Sequence, residues 1–163
     1  EDTPISHDHL FLLFIFDRNK AMDVFKFEQK IVLKLIYTWH LWYFGYNSES
    51  QFLFDSIECK SLVSNPLDFL RHLANAAVLN QSEFVKGQFD LFIKTYPNFF
   101  DGNTLFENPG FHFVSMLILS SLGMEQEYMV QFRLSESRFP LHSEWVNLIN
   151  NKLRSDPDTQ FEV

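Results

Sequence analysis

Three groups of side chains have the types and spacing that chemistry could use. His7, Asp8 and His9 stand together, and metal sites draw on closely spaced His and Asp. On a helix, however, residues two apart point about 200° away from each other, so His7 and His9 cannot share one ion. The chain has no His-Glu-x-x-His pattern and a single cysteine, so no metal is expected and the cluster reads as a surface feature. Cys59 could serve as a nucleophile if His40 or His72 were its base. A lone helical cysteine reads more simply as a small core residue. Arg138 and His142 are the third group, but Pro140 lies between them and breaks the helix they would need. No Gly-x-Ser-x-Gly elbow exists, and glycines 45, 87, 102, 110 and 123 are too scattered to cradle a phosphate. The expectation is a protein without catalytic residues and without a cofactor.

Aromatic residues and charge carry more. The 163 residues include 20 Phe, 5 Tyr and 3 Trp. The densest cluster is Trp39, His40, Trp42, Tyr43, Phe44 and Tyr46. It reads as the end of a core helix, with a binding hot spot as the second reading, since Trp and Tyr are enriched in both settings. Tyr43 and Tyr46 lie nearest the helix end and are expected to be exposed. Asp and Glu number 21 against 13 Lys and Arg, a net charge of −8. That balance argues against a nucleic-acid partner, because phosphate affinity comes from Lys and Arg releasing counterions. The charge is uneven. No Lys or Arg falls between Lys94 and Arg133, an interval that holds Asp101, Glu107, Glu125 and Glu127. A second cation-free interval, between Lys34 and Lys60, holds Glu49, Asp55 and Glu58. Solubility alone explains an acidic face. A field of one sign also steers a basic partner.

A hydrophobic share of 46% excludes intrinsic disorder. The longest uninterrupted apolar run, Leu10 to Phe16, is far short of the roughly twenty residues a membrane-spanning helix needs. No membrane partner is therefore expected. The chain opens on Glu1 and Asp2, where a signal peptide would be basic. One cysteine suits a reducing compartment, so a cytoplasmic location is expected.

The elements that must position these residues read as helices. Thr3 and Pro4 form a cap followed by Pro at the first helical position, opening a segment to Asp17 whose apolar run suits helix or strand; helix is favoured for want of a partner strand. From Lys20 to Phe44 one central helix is expected, with Asp23, Lys26, Lys30, Lys34 and Thr38 as a narrow polar stripe. Ser48 and Gln51 match a capping box for a helix running to about Val63. Asn65 and Pro66 open the next helix, and Ser82 caps one that carries Val85, Phe89, Phe92, Ile93 and Tyr96 on one face. Its other face has the spaced pairs Glu83 with Lys86 and Asp90 with Lys94. Turn formers fill Pro97 to Gly110. A buried helix follows to Leu122, with Gly123 as its stop, and further helices span Glu125 to Leu134 and Ser143 to Arg154. Strand signals are scarce. The expectation is an all-α, compact single-domain bundle of six to eight antiparallel helices over residues 1–155, with a short polar tail at 156–163.

A small, acidic, aromatic-rich chain without a catalytic constellation resembles the bacterial immunity proteins that neutralise a sibling toxin, including those of contact-dependent growth inhibition. The likeness is one of size, charge and aromatic load, and it transfers no residue. It implies a cognate protein toxin, of basic nuclease type, as the partner. The expected contact residues are Asp101, Glu107, Glu125 and Glu127, joined by Tyr43, Tyr46, Glu49 and Asp55. The rival expectation is an all-α ligand-binding or enzymatic domain, with phenylalanines lining an apolar pocket and His40 or His112 as polar anchors.

Overall fold

A computed structural model of the chain describes residues 13, 16–27, 30–98, 109–138, 144 and 147–152. The protein is all-helical, and the described residues contain no strand. Contacts divide the chain into two units, with the boundary in the sequence after Ile57.

In the first unit, α1 (Arg18–Phe27), α2 (Ile31–Tyr43) and α3 (Asn47–Asp55) follow one another. The single long helix expected from Lys20 to Phe44 is broken at Lys30, whose backbone is extended (φ −75°, ψ 116°). The physical reason lies in the core. Ala21 of α1 shares one buried cluster with Tyr37 and Leu41 of α2 and Leu53 of α3. In a continuous helix Ala21 and Leu41 would stand roughly 30 Å apart. The chain must turn for both to leave water, and burying such side chains is the larger energy.

The polar stripe is also reassigned. Thr38 is fully buried, and its hydroxyl donates to the Lys34 carbonyl at 2.7 Å. The Thr38 carbonyl accepts from Ser50 Oγ, and Lys34 Nζ donates to Ser56 Oγ at 3.2 Å, so the stripe ties α2 to α3. The capping box at Ser48 does not form. The flanking residue is Tyr46, two residues earlier, and Gln51 Nε2 donates to Asp55 Oδ1 at 2.8 Å. The helix stops at Asp55 rather than near Val63: Ser56 Oγ donates to the Leu53 carbonyl, and the backbone at Glu58 is extended.

The second unit opens with a 3-10 turn (Cys59–Leu62) and continues through α4 (Pro66–Val78), α5 (Ser82–Thr95), α6 (Pro109–Ser121) and α7 (Glu125–Arg138). Residues 147–152 are helical as well. Helix α4 is the core element: from Asp68 to Val78 every side chain but Arg71 is buried. It packs against α5, α6 and the 3-10 turn, and α7 packs on α6. Phe69 of α4 stacks on Phe92 of α5, with ring centres 5.6 Å apart. The Tyr96 hydroxyl donates to the Val63 carbonyl at 2.7 Å, holding the end of α5 to the turn that precedes α4.

The punctuation of this unit follows local chemistry. The Asn65 side chain accepts from the Asp68 amide at 3.2 Å, and Pro66 takes the first helical position, where it has no amide to leave unsatisfied. The Ser82 cap falls one residue away, since Gln81 is the flanking residue and Ser82 is already helical. Helix α6 starts at Pro109 rather than Phe111, and its described side chains from Val114 to Leu119 are all buried. Three helices end in the same way. Gly45 (φ +87°), Asn80 (φ +62°) and Gly123 (φ +67°) adopt the left-handed conformation. In each, the amide of that residue bonds three residues back and the next amide five residues back, as from Met124 to the Leu119 carbonyl at 3.0 Å. This Schellman arrangement satisfies carbonyls that the helix end would otherwise orphan. Helix α7 runs beyond the expected Leu134, to Arg138.

Candidate functional site

The residues expected to bind a partner fall into separate surroundings. Asp101 and Glu107 lie outside the described residues, as do His7, Asp8, His9, His142 and the side chain of His112.

In the first unit, Tyr43 is half-buried at the end of α2, meeting Trp39, Trp42 and Phe44 edge-on at 6.1, 6.5 and 5.5 Å. Tyr46 follows the Gly45 stop and is also half-buried. Over its ring, at 3.9 Å from the centre, sits the guanidinium of Arg18. Arg18 Nη2 also donates to Glu49 Oε1 at 3.3 Å. The cation-free interval that contains Glu49 is thus given a cation from α1. Asp55 accepts from Gln51, as described above. Of the acids expected here, both described ones already hold an internal partner. His40 stacks on Trp39 at 4.2 Å, and its Nδ1 donates to the Ile36 carbonyl at 2.8 Å, since a carbonyl can only accept. Trp42, by contrast, is buried core.

In the second unit, Glu125 is exposed and Glu127 half-buried, and both occupy the first turn of α7 directly after the Gly123 stop. Carboxylates there lie near the positive end of the helix dipole, which stabilises the helix start. Neither makes an ion pair with a cation among the described residues. Among the described residues they are sequence-expected acids without a paired cation.

Beside them lies a feature the sequence reading did not single out. A groove of about 790 Å3 runs along α5 and is closed on the other side by Ser121, Leu122 and Met124, the corner between α6 and α7. Phe89, Ile93, Leu122 and Met124 supply its apolar surface, and Glu83, Lys86, Asp90 and Lys94 its charged wall. The pairs Glu83 with Lys86 and Asp90 with Lys94 do not close to ion-pair distance among the described residues. Spacing alone presents those four residues as a solvated helix face. The missing signal is tertiary: the corner that makes the face into a groove comes from about thirty residues further along the chain.

The remaining candidates have structural settings. Cys59 lies in the 3-10 turn, half-buried, and its thiol donates to Gln88 Oε1 at 3.4 Å. Burial pushes that thiol up from its ordinary value, opposite to the shift that activates a nucleophile. His72 is buried in α4 against the edge of Phe84, and burial lowers its pKa to about 4. It is a neutral core imidazole near neutral pH. No group of three or more His, Cys, Asp or Glu among the described residues is placed to hold a metal ion. No helix of the described residues is long and apolar enough to cross a membrane.

No protein-family profile, curated protein or solved structure matches this chain.

Proposed function

We propose that this protein is an immunity protein, one that binds and neutralises a basic bacterial toxin domain through the acidic start of α7. The observation that carries this reading is the pair Glu125 and Glu127, which meets no cation at ion-pair distance among the described residues and lies in an interval of the sequence with no Lys or Arg between residues 94 and 133. Asp101 and Glu107 belong to the same interval. A net charge of −8 adds a long-range field that draws a basic partner in, while the local carboxylates select its orientation. Tyr43, Tyr46, Glu49 and Asp55 take a secondary part, because Arg18 and Gln51 already engage this surface. On this reading the protein works in the bacterial cytoplasm, where a toxin delivered from a neighbouring cell would be met.

The rival, a ligand-binding domain with a Phe-lined pocket, has less to rest on. The lining of the α5 groove includes one phenylalanine, Phe89, and four charged side chains. The test is calorimetric titration of the protein with the product of the adjacent gene. Binding at micromolar concentration or tighter, with loss of the toxin's activity in the complex, is the expected result. Absence of binding at that concentration removes the immunity reading.

A further inference from the structure

We propose that α7 is a self-association surface, along which two copies of this chain pair antiparallel. The inference goes beyond the toxin reading and does not depend on it.

Helix α7 is apolar outside as well as in. It packs on α6, Tyr128 stacks on Phe132 at 5.9 Å, and Asn150 donates to the Tyr128 hydroxyl at 3.2 Å. Gln131 is buried, while Val130 is 57% exposed and Met129 and Leu134 are exposed as well. An amphipathic helix gives its polar residues to water and its apolar ones to the core. Here Gln131 and Val130 have exchanged those places, as expected of a helix with a second contact on its outer side.

The outer stripe has the spacing of a two-helix seam. Glu127, Val130, Leu134 and Ser137 follow at steps of three, four and three, within roughly 80° of one another around the axis. The position of Arg138 lies roughly 20° from that of Glu127, whereas Glu136 is turned roughly 140° from the middle of the stripe.

Charge selects a second copy as the occupant. The stripe begins in acid and ends in base, so a helix of one sign meets repulsion at one end. The same stripe laid antiparallel meets none. A two-fold axis level with Phe132 sets Val130 against Leu134 of the second copy, and Glu127 against Ser137 and Arg138 of the second copy, each contact occurring twice. Glu127 has no cation at ion-pair distance among the described residues of its own chain. The net charge of −8 on each copy opposes the approach, but physiological salt screens it over about 8 Å. One helix about 21 Å long makes a seam smaller than the roughly 800 Å2 per partner of a standard interface, so the dimer is weak and exchanges with monomer.

Sedimentation equilibrium of the full chain, from about 10 µM to about 1 mM at physiological ionic strength, should pass from monomer toward dimer. Leu134→Glu should weaken the dimer at least about tenfold, and Leu91→Glu, at an exposed site on α5, should leave it unchanged. Glu127→Arg and Arg138→Glu should each weaken it several-fold, and the two together should restore it, because the positions face each other across the axis. Within one chain they stand roughly 16 Å apart, too far to pair, so restoration reports the second copy. Circular dichroism confirms that each variant is folded. A chain that stays monomeric to about 1 mM, a folded Leu134→Glu that dimerises as before, or a double swap no better than its single variants each overturn the proposal. These measurements need no toxin, so the immunity reading stands or falls separately.

Discussion

Arg18 and Tyr46 are joined face to cation: the guanidinium carbon lies 3.9 Å from the ring centre, while Nη2 reaches Glu49 at 3.3 Å. The contact spans α1 and the turn between α2 and α3, and so fastens the return of α1 onto the α2–α3 pair. It is half exposed, so its worth is modest. Arg18→Ala should cost about 0.5–1 kcal/mol, read as a lower urea midpoint with unchanged slope. Arg18→Lys should recover less than half of this loss, because an ammonium cannot stack its plane on the ring and fork to the carboxylate at once. An unchanged midpoint in Arg18→Ala would show the contact to be inert.

His72 makes stability depend on pH. Its folded pKa is lowered to about 4 from an ordinary 6.5, with burial as the cause. Between those values the unfolded chain binds the proton and the folded chain does not. The contribution is therefore fully present above about pH 6.5, is lost as pH falls, and levels off below about pH 4. Its size over that window is about 3 kcal/mol. Urea unfolding at several pH values should show that slope in the native protein. His72→Leu should flatten it, since an apolar side chain in the same buried place has no proton to gain. An equal slope in both proteins would assign the acid sensitivity to other groups.

Two glycines should respond to alanine with opposite signs. Gly123 holds φ at +67° in the stop after α6, and nothing lies within 4 Å of the position a Cβ would take. The cost of Gly123→Ala is therefore conformational, about 1 kcal/mol. Gly87 lies within α5, also with open space around it and without a positive φ. Gly87→Ala should stabilise by about 0.5–1 kcal/mol, through helix propensity and a less flexible unfolded chain. Paired thermal melts read both signs in one experiment.

The Asn65 cap and the Gly123 stop were legible in the sequence because they are local. Asn65, Pro66 and Gly123 act on amides and carbonyls within five residues of themselves. What was not legible depended on distant partners. The break at Lys30 follows from Ala21 meeting Leu41. The candidate site divides along the same line. The absence of cations around Glu125 and Glu127 is a property of the chain and can be counted. The neutralisation of Glu49 comes from Arg18, 31 positions away, and no spacing rule reaches that far. The α5 groove needed the Leu122–Met124 corner before its charged helix face had an opposite wall.

Charge reversal at Glu125 and Glu127 separates the two roles those carboxylates can have. As the first turn of α7 they favour the positive end of the helix dipole, each by about 0.3–1 kcal/mol. Glu125→Lys with Glu127→Lys should therefore destabilise the protein by about 1 kcal/mol even when it is alone. If they also steer a basic partner, the double variant should associate more slowly with the adjacent gene's product. The dependence of its association rate on salt should be shallower, while dissociation changes less. Stopped-flow association at low and high ionic strength measures this directly. A stability loss with unaltered association at both ionic strengths would make Glu125 and Glu127 helix-start residues and nothing more. A slower, less salt-sensitive association would show that the cation-free interval is read by the partner.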